Sequence, residues 1–185
     1  MAASAGGLSA LTQVLSSLPA DLPVAIVVVQ HLDPRHRSLM AEILSRRTSL
    51  QVKQAEDGER LNLKTVYIAP PDRHLLVNPD GTLSLSQSEL VHFVRPSADL
   101  LFESVAASFK DRAIAVVLTG SGSDGAMGVQ AIKKMGGKVI VQDKQSSDFF
   151  GMPSAAIQTG DTDLVLPLSE IATALIALIM EGGAR

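Results

Sequence analysis

The sequence contains no cysteine. That excludes a disulfide framework, a thiolate metal site and a cysteine nucleophile. Tryptophan is also absent and aromatic residues make up only 3% of the chain, so the core must be aliphatic. Charge of one sign is lacking too. Sixteen Lys and Arg stand against 19 Asp and Glu, a formal net charge of -3, which leaves no global electrostatic footprint for nucleic acid. Long apolar runs are missing. Ile171 to Met180 covers about half of the roughly 20 residues a spanning helix needs. The N-terminus lacks the basic region and apolar stretch of a signal peptide. These absences point to a cytoplasmic protein without membrane insertion.

What is present is aliphatic: 46% of the 185 residues are hydrophobic, enough for one core. Val24 to Gln30 (VAIVVVQ), Val66 to Ala69 (VYIA), Ala113 to Thr119 (AIAVVLT), Lys138 to Gln142 (KVIVQ) and Leu164 to Leu166 read as strands. Helical patterns fall between them, over Leu8–Leu18, Leu39–Leu44, Leu100–Phe109, Ala126–Met135, Met152–Ile157 and Ser169–Met180. Ser97 is placed to cap the third of these, with Asp99 favourable in its first turn. Leu75 to Val77 and Thr82 to Leu85, joined by Asn78-Pro79-Asp80-Gly81, predict a β-hairpin. The alternation implies an α/β fold: a single domain over residues 1–185, with a mostly parallel, doubly wound sheet, helices on both faces and an inserted hairpin. Ala3-Ser4-Ala5-Gly6-Gly7 opens a helix with no visible strand before it. Met1 and Ala2 are too few for one, so the first strand is expected to be missing or cut short.

In open parallel sheets, functional groups gather beyond the carboxyl ends of the strands. That rule selects His31 after one strand, Gly120 to Gly125 after another and Asp143 after a third; if a strand once preceded it, the Ser4 turn belongs to the same edge. A Ser, a His and an Asp on separate loops of one edge are the parts of a hydrolytic triad. The serine needs a base to take its proton. A carboxylate must orient that base. Each residue also has a plain structural use: Ser4 as a helix cap, His31 as a solvated strand end, Asp124 as a cap for the helix that follows. His36 lies in a polar Arg35–Arg37 stretch, and His74 and His92 border the hairpin as structural residues.

Gly120-x-Gly122-x-x-Gly125 after a strand, with Asp143 eighteen residues further on, also fits a dinucleotide-binding fingerprint. Asp124 argues against it, because a carboxylate inside that loop repels pyrophosphate. No nucleotide cofactor is therefore expected. His31, Asp33 and His36 lack a recognised metal-ligand spacing, and Asp33-Pro34 reads as a polar turn, so no metal is expected either.

Several segments, taken in order, resemble the chemotaxis protein-glutamate methylesterase family, the CheB catalytic domain. They are Ala3-Ser4-Ala5-Gly6-Gly7, Val27-Val28-Val29-Gln30-His31, Ile68-Ala69-Pro70-Pro71, Arg95-Pro96-Ser97-Ala98-Asp99-Leu100-Leu101-Phe102, Leu118 to Ala126, and Gln142-Asp143 with Gly151-Met152-Pro153. The likeness implies an α/β fold on a parallel sheet and hydrolysis of glutamate γ-methyl esters on chemoreceptor cytoplasmic helices, with methanol released. Glutamine deamidation is a further activity of many members. The resemblance implies Ser4 as nucleophile, His31 as base and Asp124 as its partner. Backbone N–H groups at Ala5, Ser121 and Gly122 are expected to form the oxyanion hole. Methylated receptor helices are the implied partner, with a receiver or kinase domain of the same pathway as a further one. No receiver domain is expected before the catalytic part, Ser121 stands where the family often has Met, and the apolar strand expected before the Ser4 turn is absent. Those departures keep an alternative open: a non-catalytic docking module of a hybrid signalling protein.

Overall fold

Strand-forming runs and amphipathic helices alternate through residues 1–182, which a computed structural model describes. In chain order they are β1 (Ala2–Ala3), α1 (Gly7–Ser16), β2 (Ile26–Gln30), α2 (Met40–Ser45), β3 (Gln51–Gln54), β4 (Thr65–Ile68), β5 (His74–Val77) and β6 (Leu83–Ser86). There follow α3 (Ala98–Phe109), β7 (Ile114–Val117), α4 (Ala126–Lys134), β8 (Lys138–Gln142), α5 (Gly151–Gln158), β9 (Leu164–Leu166) and α6 (Leu168–Gly182). Seven strands form one parallel sheet in the order β3-β4-β2-β1-β7-β8-β9, and β5 and β6 pair antiparallel outside it. Among the described residues no helix is long and apolar enough to cross a membrane.

Side chains alternate across a strand, and two cores result. Ala3, Val28, Val66, Val116 and Ile140 join Leu11 and Leu15 of α1, Leu44 of α2 and Ile171 of α6 on one face. Ala2, Val29, Tyr67, Val117 and Val141 join Leu101 and Phe102 of α3, Ile132 of α4 and Met152 of α5 on the other. The hairpin adds Leu75 and Leu83 to this second core. The doubly wound α/β arrangement with an inserted hairpin is thus present as the sequence implied.

The first strand is short: Ala2 and Ala3 lie between β2 and β7, with Ala2 opposite both Val29 and Val117. Its two residues are wholly buried, and their neighbours on both sides supply the pairing that so short a segment cannot encode by period. Strand β3 was not foreseen. Gln51-Val52-Lys53-Gln54 is an edge strand with no buried residue, bonded only to β4, so it lacks the apolar signal of the central strands.

Candidate active site

The sheet order changes direction at β1, since β2 leads one way and β7 the other. In α/β sheets the crevice beside such a switch point is where ligands bind. Three chain segments meet there. The Ser4 N–H donates to Thr119 O at 3.0 Å, beyond β7, and the His31 N–H donates to Ala3 O at 3.1 Å. Ser4 therefore leaves β1 beside the residue that leaves β2, one strand spacing away, about 4.8 Å.

Ser4 does not cap the helix it precedes. Gly6 occupies the N-cap position of α1, without a side-chain cap, and the Ser4 hydroxyl makes no hydrogen bond among the described residues. Its carbonyl is used instead, accepting from Gly7 N at 2.8 Å and from Gln30 Nε2 at 2.8 Å. The same Gln30 amide holds His31 O at 3.0 Å, so one buried side chain ties both loops together. Gly120 sets the approach from β7. A Cβ there would stand 2.8 Å from Ser4 Cβ and 3.1 Å from Ser4 N, so any other residue displaces the serine. Thr119 Oγ1 adds a bond to Ala5 O at 3.0 Å.

His31 and Asp124 meet directly. Nε2 of His31 lies 2.7 Å from Asp124 Oδ2, with the side chains 13% and 3% exposed. Asp124 was expected to cap α4; it caps α3 instead. Its Oδ2 also accepts from Ala98 N (2.7 Å), and its Oδ1 accepts from Ser97 Oγ (2.9 Å) and Asp99 N (3.0 Å). These are the orphan donors of a helix start, where a negative charge is favoured. Burial opposes ionisation, but the His31 bond and the two backbone N–H groups outweigh it and hold the carboxyl below the usual carboxylate range. The other nitrogen of His31, Nδ1, has no partner among the described residues.

The cap of α4 is Asp99. Its Oδ1 accepts from Gly125 N (2.9 Å) and Gly128 N (2.8 Å), while its Oδ2 is buried without a hydrogen bond. His92 Nε2 lies 3.3 Å from that oxygen, close enough for an ion pair but not aligned for a hydrogen bond. Burial raises the Asp99 pKa, the Asp124 charge adds to this, and the Gly128 and Gly125 N–H groups do not overcome it. His74 is structural, as expected. It is buried, accepts from Ser97 N at Nδ1 (3.1 Å) and contacts Glu89 O through Nε2 (2.9 Å). His92 is 45% exposed and lines a cavity of about 250 Å³ together with His31 and residues 121–124. A larger groove of about 650 Å³ lies over residues 34–38 and the ends of β3 and β4, but none of Ser4, His31 or Asp124 lines it.

Asp143 Oδ1 accepts from Ser146 N (2.9 Å) and Ser146 Oγ (2.6 Å), closing its own turn. Asp33 is held by Arg35 through both oxygens, away from the His31–Asp124 pair. Among the described residues no three His, Asp or Glu side chains converge as metal ligands. The backbone N–H groups of Ala5, Ser121 and Gly122 have no intramolecular acceptor among the described residues, so they remain open donors at the same edge.

Known proteins resemble this chain over nearly its whole length. Residues 1–175 match the family described as CheB methylesterase. The chain belongs to that family. It is 44% identical over 178 residues to a Rhizobium meliloti protein named protein-glutamate methylesterase/protein-glutamine glutaminase of group 3 operon, covering 96% of this chain and 50% of that protein. It is 43% identical over 176 residues to protein-glutamate methylesterase FrzG of Myxococcus xanthus, covering 95% and 53%. The chain thus spans about half the length of these two relatives. A Leptospira interrogans relative, 41% identical, is covered to 91% of its length. The crystal structure of the Thermotoga maritima CheB methylesterase catalytic domain superposes with a TM-score of 0.92 at 40% identity, covering 96% of this chain and 95% of that one.

Proposed function

We propose that this chain hydrolyses γ-methyl esters of glutamate on chemoreceptor cytoplasmic helices, releasing methanol, and also deamidates receptor glutamines. The observation that carries this is the part-buried His31–Asp124 pair beside a serine whose hydroxyl makes no hydrogen bond among the described residues. With Nε2 held by Asp124, Nδ1 is the nitrogen available to the serine. In the first step Ser4 Oγ bonds to the ester carbonyl carbon as His31 takes its proton. The carbonyl electrons move to oxygen, where the N–H groups of Ala5, Ser121 and Gly122 receive the charge. Collapse breaks the carbon–methoxy bond, and His31 returns the proton to make methanol. Water then attacks the acyl-serine, His31 takes its proton, and the Ser4–carbon bond breaks with that proton restored to Ser4. The product is a glutamate carboxylate. With glutamine the same sequence releases ammonia.

Asp124 stabilises the imidazolium through both acyl-transfer steps and stays ionised. Its low pKa suits that role. The test is turnover of a methylated receptor fragment in heavy-oxygen water. Acyl transfer puts the label in the new carboxylate and none in the methanol. Label in the methanol, or no methanol at all, would overturn the proposal.

A further inference from the structure

Phe93 is 95% exposed. It sits in a two-residue turn between Val91 and Val94, whose backbones exchange hydrogen bonds of 3.1 and 3.0 Å. Both turn residues have positive φ, 49° at His92 and 66° at Phe93. Turns of this hand are normally built from Asn and Gly, because a Cβ there crowds the next carbonyl. An aromatic residue at such a position gains nothing for folding, neither burial nor a relaxed backbone. Strain of this kind collects at functional sites.

The turn is also firmly held. The Arg95 guanidinium binds Asp72 Oδ1 through Nε and Nη2 (2.9 and 2.7 Å) and Ser88 O through Nη1 (2.7 Å), and His92 stands beside the buried Asp99. Phe93 lines the same cavity as His31, Ser121 and Gly122. An apolar ring thus stands at the same cavity as the base, on a hydrogen-bonded turn, with nothing among the described residues covering it.

We propose, resting on the methylesterase reading above, that Phe93 is the specificity-determining contact for the polypeptide around the target ester. The ring packs on aliphatic side chains one helical turn from the methylated glutamate, since residues three and four apart share a helix face. It reads the substrate helix and takes no part in bond making. Binding energy from such a remote contact favours helical substrates over small esters of the same chemistry.

The experiment compares kcat/KM for a methylated receptor fragment with that for a small glutamate γ-methyl ester, in the parent, Phe93→Ala, Phe93→Leu and Phe93→Gly. The ratio of the two values falls about ten-fold in Phe93→Ala, mainly through KM on the receptor fragment, and recovers in part with Phe93→Leu. In Phe93→Gly the ratio falls as well while Tm rises, because glycine relieves the positive φ. An unchanged ratio in Phe93→Ala overturns the proposal, and so does an equal loss on both substrates. Sedimentation showing that Phe93 mediates self-association, with the ratio unchanged, overturns it too. If the parent turns over neither substrate, the esterase reading fails by itself. The contact is then decided by fluorescence anisotropy of a labelled methylated receptor helix: Kd rises about ten-fold in Phe93→Ala, or stays the same and removes the contact.

Discussion

Asp124 and Asp99 are each about 3% exposed and each caps the helix of the other, yet their carboxyls are displaced in opposite directions. Asp124 precedes α4 and accepts from the start of α3. Asp99 lies in the first turn of α3 and accepts from the start of α4. The exchange locks the two helices together at the sheet edge. The difference lies in the second oxygen. Both oxygens of Asp124 are served, one by Ser97 Oγ and Asp99 N, the other by Ala98 N and His31. Asp99 has one oxygen served and one bare. Burial disfavours ionisation of both, so the donors that each carboxyl accepts decide the direction of its shift. The one held low is the one beside His31.

The comparison breaks most clearly at Asp124. In Asp124→Asn an amide NH2 replaces one oxygen among four donors, so a donor faces a donor. We expect kcat for methyl ester hydrolysis to fall by about 10³-fold or more, and stability to fall by about 3 kcal/mol, read by methanol release and urea denaturation. A kcat within ten-fold of the parent would detach Asp124 from the chemistry. Ser97→Ala removes one donor from Asp124 and the side-chain cap of α3 together. It should cost about 1 kcal/mol and lower kcat far less than Asp124→Asn, because His31, Ala98 and Asp99 still hold the carboxylate.

Asp99→Asn should have the smallest effect, and its sign depends on pH. An Asn can keep the acceptor for Gly125 and Gly128 while removing the charge near Asp124. The folded-state pKa of Asp99 is raised above the ordinary value of 3.8, so the parent loses stability as pH rises through that window. Asp124 behaves oppositely: its contribution is present above 3.8 and is lost as pH falls through its depressed folded value. The Tm of Asp99→Asn relative to the parent should therefore increase between pH 3.5 and pH 7, by a few degrees at most (about 1 kcal/mol or less). A relative Tm that falls over the same range would mean that the Asp99 charge is stabilising and that the two carboxylates do not differ as described.

Much of this arrangement was legible in the sequence. His31 could be picked out because the β-branched run Ile26–Gln30 marks a central strand and the residue after such a strand lies at the binding edge. The loop that holds Asp124 follows a second such run, whereas Ser4 could be placed there only by supposing a strand before its turn. Ser97 announced itself as a cap ahead of an amphipathic run. Other features depend on distant partners and left no local trace. Ala2 and Ala3 become a strand only between β2 and β7. Asp124 reads as the cap of the helix it precedes, whereas it caps one that begins 26 residues earlier. His92 gave no sign of its place in the cavity, because that depends on a tight turn with an unfavourable backbone and on the bare oxygen of Asp99. Such a juxtaposition is set by packing, which no period in the sequence encodes.

The most direct test of the central claim is methanol release from a methylated receptor fragment by the parent and by Ser4→Ala. Ser4 is half-buried and its hydroxyl makes no hydrogen bond among the described residues, so the substitution should leave stability within about 0.5 kcal/mol of the parent. The account predicts that the parent releases methanol and that folded Ser4→Ala does not. Release by Ser4→Ala at the parent rate would contradict it.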